Sequence, residues 1–528
     1  MTSSTIDFKT NINSSLKELK DDFYTFISYI KQNIPSTLLI CFFVLLSYGI
    51  KLFYYSISID TEVLINNYSG QLNAWTSIGR YGLIITKTLF NLSPFNPYAA
   101  CFLMIILMII FCLTWNFFLD YFLGEKNKKS IMSTVFPIIF LTSPLFAEQF
   151  NFILQGVEVS LAITLCSLSI FFITKWIISS TNIIQLILGL ICMVWGFGTY
   201  QAIVPLYISA ALASYIILFE SYNKKRISLH KNFFKWSIIK YLLTFMVGYI
   251  LNSLVSKIFI AFSGATGYLD NSILWGKIPA KQCIKNILAY IYNVVTGNGI
   301  LYNKLFILSI IFLLIYAFKY IFSKKKDSFL LFLAVFTLIL SPFLLSIYMG
   351  QSMIPRSQFS LQFVIAFSIY LFIMIINNKK IEIIGFFVAV FFAFNQGYVV
   401  SSLLYTDYMK YQSELRLANK ISERIDSLNL GEIPQYPVVF IGSYHPLNTT
   451  NEMRADVIGA SFFEWDSGTE FGSNYRILGF MKSIGLPYVS PTLDQIKTAR
   501  ELSETMDAWP NTNSVQFIND LIIVKLSN

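Results

Sequence analysis

Long apolar segments constrain the fold of this chain more than any other feature of its sequence. About eleven segments rich in Leu, Ile, Phe and Val are each long enough to cross a bilayer as a helix, which takes roughly 17 to 25 residues. They predict an α-helical polytopic membrane protein whose surroundings are the lipid bilayer. The connectors beside the fifth segment are short, so one crossing there is a candidate re-entrant helix. The predicted spans are residues 36–53, 97–121, 131–147, 157–177, 183–200, 202–220, 237–261, 301–322, 328–348, 358–377 and 383–403.

The composition excludes a soluble globular fold. Only 13% of the 528 residues are charged and 55% are hydrophobic, whereas soluble domains carry roughly 25% charged residues. The net charge of +10 would suggest a nucleic-acid partner for a soluble protein. In a membrane protein this charge reflects topology, so we expect no nucleic-acid partner.

The distribution of Lys and Arg predicts the orientation in the membrane. Four basic clusters fall on one side of the predicted arrangement, and the positive-inside rule makes that side the cytoplasm. The polar N-terminal segment 1–35 is then cytoplasmic, and no cleavable signal peptide precedes the first span. The basic clusters lie at residues 126–129, 224–235, 324–326 and 379–380. The loops expected on the outer side are 54–96, 148–156, 262–300 and 349–357, together with the C-terminal tail.

The composition changes after residue 403, where the transmembrane domain (36–403) ends. Residues 404–528 carry more charge and are interrupted by six prolines. We predict a small α/β soluble domain there, on the outer face. Its expected elements are an amphipathic helix at 407–427, a strand at 436–442, a helix at 491–506 opened by Ser490 and Pro491, and a strand at 519–526.

The chain lacks the residues and motifs that several kinds of chemistry require. The six cysteines lack C-x-x-C spacing and the chain has only two histidines, which argues against a disulfide framework, a zinc site or a Ser-His triad. No Gly-rich phosphate loop or nucleotide-binding fingerprint occurs. We therefore expect no metal, no cofactor and no cytosolic nucleotide donor.

The first outward loop carries two acids, Asp60 and Glu62, just beyond the first span. A partly desolvated carboxylate at the membrane surface has a raised pKa and can take a proton from a sugar hydroxyl. Because the two acids are one residue apart, on an extended segment they would point in opposite directions. The competing interpretation is a solvated loop whose acids cap helices.

A helical spacing of apolar residues follows in the same loop and predicts one amphipathic helix in the membrane interface. The residues concerned are Trp75, Ile78, Gly82, Ile85 and Leu89. Arg80 lies near the polar side of this helix, where a guanidinium is well suited to bind a lipid phosphate. Trp75 is expected to be an ordinary interface anchor, with sugar binding as the alternative.

The second and fourth outward loops supply further candidates. Glu148 and Glu158 each lie at one end of an apolar run. An acid next to a span is unfavourable unless it faces a cavity. Glu148 is therefore a candidate for binding sugar or acceptor, with Gln149, Gln155 and Glu158 as its companions, and capping at the water interface is the alternative. Arg356 precedes a span on the outward side, which favours phosphate binding over snorkelling.

The assembled motifs resemble a known family. They are the first-loop sequence SIDTE…LNAWTSIGRYG, the EQF at 148–150, the PR at 355–356 and the closing stretch WPNTNSVQFINDLIIVKL. Each motif is short, and only the set is specific. Together they resemble the polytopic Gtr-type O-antigen glucosyltransferases of bacteria, which belong to the GT-C class of membrane glycosyltransferases.

The resemblance implies a reaction and a location. The donor would be a sugar on polyprenyl phosphate, most simply glucose on undecaprenyl phosphate, and the acceptor a lipid-linked O-antigen glycan at the outer face of the bacterial inner membrane. In GT-C enzymes a first-loop acid is the base, which corresponds to Asp60 or Glu62; Asp60 is preferred because it is nearer the membrane. The reaction would invert the anomeric carbon, and Arg80 or Arg356 would stabilise the departing phosphate.

Two alternatives stay open. One is a GT-C transferase for another lipid-linked sugar or acceptor, such as lipid A or protein, because sugar choice depends on a few pocket contacts. The other is a polysaccharide flippase or transporter, which predicts ionisable residues along a path through the membrane. The ionisable residues gather at outward span ends instead, which favours the enzyme. In the C-terminal domain, Trp465, Tyr475 and Trp509 are candidates for stacking on glycan or for core packing. Glu464 and Asp466, beside Trp465, are an alternative catalytic or acceptor-binding element.

Overall fold

The protein is mostly helical, with a small sheet near its C-terminus. The computed structural model describes residues 2–123, 131–179, 182–225, 227, 229, 232–264, 271–376, 378–431, 434–446 and 452–528, with side chains from residue 15 onward. The helices before the C-terminal domain are α1 (Thr2–Gln32), α2 (Ile34–Tyr48), α3 (Ile50–Phe53), α4 (Thr61–Asn66), α5 (Tyr68–Ser77), α6 (Tyr81–Leu89), α7 (Pro97–Phe122), α8 (Val135–Leu141), α9 (Leu145–Asn151), α10 (Gly156–Ser179), α11 (Ile183–Thr199), α12 (Ile203–Asn223), α13 (Phe233–Ser263), α14 (Ala280–Thr296), α15 (Leu305–Phe322), α16 (Ser328–Leu340), α17 (Leu344–Met349), α18 (Phe359–Ile375) and α19 (Lys379–Asp426).

The apolar helices indicate a membrane protein. Within the described residues, seven helices are long and apolar enough to cross a membrane: α7, α10, α12, α13, α15, α16 together with α17, and α19. The bent pairs α1–α2 (80°) and α8–α9 (66°) raise that number to nine if each pair is one span. Helices α11 and α18 are apolar but only 17 residues long. Every predicted span overlaps one of these helices, while the count of eleven crossings stays a prediction.

The predicted interface helix of the first outward loop is wrong as a single element. Two helices, α5 and α6, replace it, because the chain turns at Gly79, whose φ of 76° lies in the left-handed region that glycine adopts readily. Helix α6 packs closely on α11: a Cβ on Gly82 would lie 2.4 Å from the carbonyl oxygen of Trp195. The Tyr81 hydroxyl donates to the carbonyl of Val194 at 2.8 Å. The turn and this packing fix the position of Arg80.

One long helix joins the membrane part to the C-terminal domain. The predicted span at 383–403 and the predicted helix at 407–427 form the continuous 48-residue helix α19. At 1.5 Å per residue it is about 72 Å long. The proposed domain boundary at 403/404 lies inside it. The polar half of α19 buries Leu417, Ile421 and Ile425 against the C-terminal domain.

The C-terminal domain has a three-stranded sheet and two longer helices. The strands β1 (Val438–Ile441), β2 (Val515–Ile518) and β3 (Leu521–Lys525) lie in the order β1-β3-β2, with β1 parallel and β2 antiparallel to β3. The helices are α20 (Asn474–Ser483) and α21 (Leu493–Leu502). The predicted start of α21 at Ser490 and Pro491 is wrong, because Thr492 caps the helix in a capping box with Gln495.

Candidate active site

The two acids of the first outward loop meet at one guanidinium. Asp60 adopts a left-handed backbone (φ 74°) and precedes α4, and Glu62 lies in the first turn of that helix. Oδ1 of Asp60 and Oε1 of Glu62 accept hydrogen bonds from Nη1 of Arg476, at 2.7 and 2.8 Å. The expectation that the acids point in opposite directions is wrong, because the segment is not extended there.

Arg476 belongs to the C-terminal domain, on α20. Its Nε donates to Oδ2 of Asp466 at 2.8 Å, so one guanidinium binds three carboxylates. A second contact fixes α20 on the loop, since Nδ2 of Asn66 donates to the carbonyl of Gly479 at 2.7 Å. We call Asp60, Glu62, Asp466 and Arg476 the carboxylate cluster.

The two acids of the first loop differ in burial, and burial and neighbouring charges shift the pKa values of Glu62 and Arg476. The Glu62 side chain is 1% exposed, and this burial raises the pKa of Glu62 to about 7 even though Arg476 acts in the opposite direction. Burial disfavours the charged form of Arg476, but Asp60, Asp466 and Glu62 outweigh it and raise its pKa. The Asp60 side chain is 39% exposed. Asp60 is therefore the acid of the first loop that a substrate hydroxyl can reach.

Arg80 lies at the junction of α5 and α6. Its Nε donates to Oε1 of Gln201 at 3.2 Å and its Nη1 to Oε1 of Gln155 at 3.3 Å. The guanidinium also lies over the ring of Tyr200, 4.9 Å from its centre. Two amide oxygens and an aromatic ring thus orient the guanidinium, a planar donor group that suits the binding of a phosphate.

Arg356 lies close to the same part of the chain. Its Nη1 is 3.3 Å from Oδ2 of Asp456, and its guanidinium is 4.7 Å from the centre of the Phe152 ring. Phe152 is three residues from Gln155, the partner of Arg80, so the Cα atoms of these two residues are at most about 11 Å apart. Ser58, two residues before Asp60, donates to the carbonyl of Asn151 at 3.1 Å. The segment 151–155 thus contacts both arginines and also Ser58, which lies two residues before Asp60.

Glu148 and Gln149 are buried on α9. The carboxylate of Glu148 accepts from the backbone N–H groups of Asp456, Val457 and Ile458, at 2.7, 3.0 and 3.4 Å. Glu148 therefore has a structural role: it holds the backbone of Asp456, whose side chain pairs with Arg356. Gln149 is fully buried, and neither atom of its side-chain amide has a hydrogen-bond partner in the described part of the chain.

Trp75 and Glu158 are both buried, and both contact Lys87. Glu158 forms an ion pair with Lys87 at 2.9 Å, and both side chains are 1% exposed. Lys87 also donates to the carbonyl of Leu154 at 2.7 Å and lies 5.2 Å from the Trp75 ring. The interpretation of Trp75 as an interface anchor is wrong, because the residue is only 3% exposed and packs on this lysine.

A second set of buried charges holds the C-terminal domain on α19. Asp407 accepts from the N–H of Gly459 at 3.3 Å, and Lys410 donates to the carbonyl of Ala460. Glu414 accepts from the N–H of Phe462 at 2.7 Å. With Glu148, these side chains bind most of residues 456–462, which we call the anchored segment. The sequence predicted an amphipathic helix at 407–427, but nothing local in it indicates the partners of these three residues.

The comparisons with known proteins are specific on one point. The sequence model of the family described as glucosyl transferase GtrII matches residues 49–376, more than half of the chain. The match includes Asp60, Glu62, Arg80 and Arg356, and ends before Arg476. No curated protein and no solved structure matches the chain. The chain therefore belongs to the GtrII glucosyl transferase family.

Proposed function

We propose that this glucosyltransferase moves glucose from polyprenyl phosphate to an O-antigen glycan at the periplasmic face of the bacterial inner membrane. The family supplies the sugar and the reaction class. One observation supports the rest: the segment 151–155 contacts Arg80, Arg356 and Ser58, and Ser58 lies two residues before the partly exposed Asp60. The same residues lie in loops that the positive-inside rule directs outward. The family assignment favours this enzyme over a flippase.

Asp60 is the general base of the proposed reaction. It must accept the proton of an acceptor hydroxyl, so an oxygen of its carboxylate has to be within reach of substrate. Asp60 is 39% exposed, whereas Glu62 is 1% exposed and lacks room for a sugar hydroxyl. Arg476 holds Asp60 in place from the opposite domain. Glu62 and Arg476 are therefore positioning residues.

The transfer is a single displacement at the anomeric carbon. The acceptor oxygen forms a bond to C1 of glucose as its proton passes to Asp60. The bond between C1 and the phosphate oxygen breaks on the opposite face, and its electron pair leaves with polyprenyl phosphate. Arg80 stabilises the charge that develops on that phosphate, and Arg356, which contacts Phe152, contributes to the same charge. The product has the inverted configuration.

The remaining predicted residues have different parts in this proposal. Glu148, Glu158 and Trp75 form the scaffold, because their contacts are with protein groups and all three are buried. Gln149 stays a candidate ligand of the bound sugar. Its buried amide lacks a partner in the described residues, and a sugar hydroxyl would satisfy it.

The experiment is a transfer assay with the purified full-length protein in lipid nanodiscs. Radiolabelled glucose is supplied on undecaprenyl phosphate or on UDP, with lipopolysaccharide as the acceptor. We expect label in the polysaccharide only from the lipid-linked donor, in a linkage whose anomeric configuration is opposite to that of the donor. Transfer from UDP-glucose alone, or retention of configuration, would contradict the proposal.

A further inference from the structure

A groove on the C-terminal domain lies outside the active site described above. It has a volume of about 550 Å³ and runs between the end of α19 and two loops of the domain. Ligand-binding pockets generally measure roughly 300 to 1,000 Å³. Charged and aromatic residues that line it are Arg416, Lys420, Glu423, Arg424, Tyr444 and Trp509.

One wall of the groove is built by Arg424. Its guanidinium lies 4.2 Å from the centre of the Trp509 ring and donates to the carbonyl of Pro510 at 2.6 Å. Nη1 also donates to Oγ of Ser514 at 3.1 Å. Trp509 is 9% exposed, so its ring is a structural surface for Arg424 and not a free platform for sugar. These contacts fix the loop against α19.

Two further basic residues, Arg416 and Lys420, line the groove one helical turn apart and are exposed. Neither of them, nor Arg424, is within salt-bridge distance of an acid in the part of the chain that the structure describes. Arg416 donates only to a neutral group among its described bonds, Oγ of Ser413 at 2.8 Å. Glu423 is the one acid along the lining, so the groove carries a net positive charge.

The position of the groove argues for a glycan over a lipid headgroup. Arg416 is 13 residues beyond the predicted end of the apolar part of α19 at residue 403. That separation is about 20 Å along the helix axis. The groove is also joined to the anchored segment, since the N–H of Tyr444 donates to the carbonyl of Phe463, the next residue after it, at 3.0 Å. A ligand that lies here is therefore held by the C-terminal domain, beyond the predicted apolar part of α19.

We propose that this groove binds an anionic part of the glycan acceptor, through carboxylate or phosphate groups that pair with Arg416 and Lys420. Tyr444 is partly exposed and offers an apolar ring beside these charges. The inference rests on the proposed function, because it assigns a second contact of the same acceptor, remote from the hydroxyl that reacts. Such a contact increases the residence of the glycan while its reacting hydroxyl samples Asp60.

The test measures binding directly and does not depend on transfer. The full-length protein in phosphatidylcholine nanodiscs is titrated calorimetrically with tetragalacturonic acid and with neutral maltotetraose. We expect salt-dependent binding of the acidic tetramer that is at least about tenfold tighter than binding of the neutral one. The double variant Arg416→Ala/Lys420→Ala should lose at least about tenfold in affinity for the acidic tetramer, as expected when charge-assisted bonds are removed.

A matched double variant separates a site from general surface charge. Lys497→Ala/Arg500→Ala removes the same charge from an exposed helix of the same domain and should leave the affinity within about twofold. Equal loss in both double variants, or no binding of the acidic tetramer by the wild type, would overturn the proposal. Asp60→Asn should bind the tetramer like the wild type, so a failure of the proposed reaction and a failure of this site give different results.

Discussion

Arg476 joins the two acids of the first loop to the C-terminal domain. It binds Asp60, Glu62 and Asp466 at once, and without it three carboxylates would face one another. We expect Arg476→Gln to lower kcat by about 10- to 100-fold, because a misplacement of about 1 Å in a base is enough for such a loss. Arg476→Lys should restore part of kcat, since it keeps the charge but not the planar fork. An unchanged kcat in well-folded Arg476→Gln would show that the guanidinium does not position the base.

The raised pKa of Glu62 predicts how stability depends on pH. Burial raises the pKa of Glu62 from 4.5 to about 7, so the folded protein binds this proton more tightly than the unfolded chain does. The stabilisation is complete below pH 4.5 and is lost as the pH rises through 7. Between pH 5 and pH 8 the loss should be about 2 to 3 kcal/mol.

Glu62→Gln tests this linkage, because glutamine resembles the protonated acid. The difference in melting temperature between pH 5 and pH 8 should become smaller in Glu62→Gln than in the wild type. The exposed Glu501→Gln serves as the control and should leave that difference unchanged. A difference as large in Glu62→Gln as in the wild type would assign the pH dependence to other groups.

At the scale of elements, a buried ion pair joins α6 to α10. Glu158→Leu leaves the ammonium of Lys87 buried without its carboxylate, which should destabilise the protein by about 3 to 5 kcal/mol. The double variant Lys87→Met/Glu158→Leu should recover most of this loss, since two apolar side chains can fill the same space. Thermal unfolding in detergent measures both. A double variant as unstable as the single one would mean that Lys87 is not the reason for the loss.

The anchored segment depends on Glu148 at its N-terminal end. Glu148→Gln weakens three hydrogen bonds to backbone N–H groups and should destabilise the segment by about 1.5 to 3 kcal/mol. Hydrogen exchange should then become faster at Asp456, Val457 and Ile458 than in the wild type. The control Glu501→Gln should leave these amides protected. Unchanged protection in Glu148→Gln would show that the carboxylate does not hold the segment.

The helices were predictable because the signal for an apolar span is local in the sequence. Each predicted span overlaps a helix, since about 20 consecutive apolar residues can satisfy their backbone in a membrane only in that way. The break between α5 and α6 was not predictable from apolar spacing. That spacing continues from Trp75 to Leu89, and only the left-handed turn at Gly79 interrupts the helix.

At the scale of the whole molecule, the candidate site is assembled from distant parts of the chain. The sequence indicated Asp60, Glu62, Arg80 and Arg356, because each is an ionisable residue in an outward loop. It did not indicate Arg476, which lies 414 residues from Glu62. No feature of the sequence around Arg476 distinguishes it from an ordinary surface arginine. Contacts across such a separation follow from the packing of the C-terminal domain on α19, and no periodicity or motif encodes them.

The most direct measurement is glucosyl transfer by Asp60→Asn, from undecaprenyl phosphate glucose to lipopolysaccharide. Asparagine tolerates the left-handed backbone at this position, so the variant removes the base without disturbing the loop. We predict a loss of at least about 100-fold in kcat, the usual contribution of a general base. Asp466→Asn, which also contacts Arg476, should stay within about threefold of the wild type. Transfer at the wild-type rate by folded Asp60→Asn would contradict the assignment of the base.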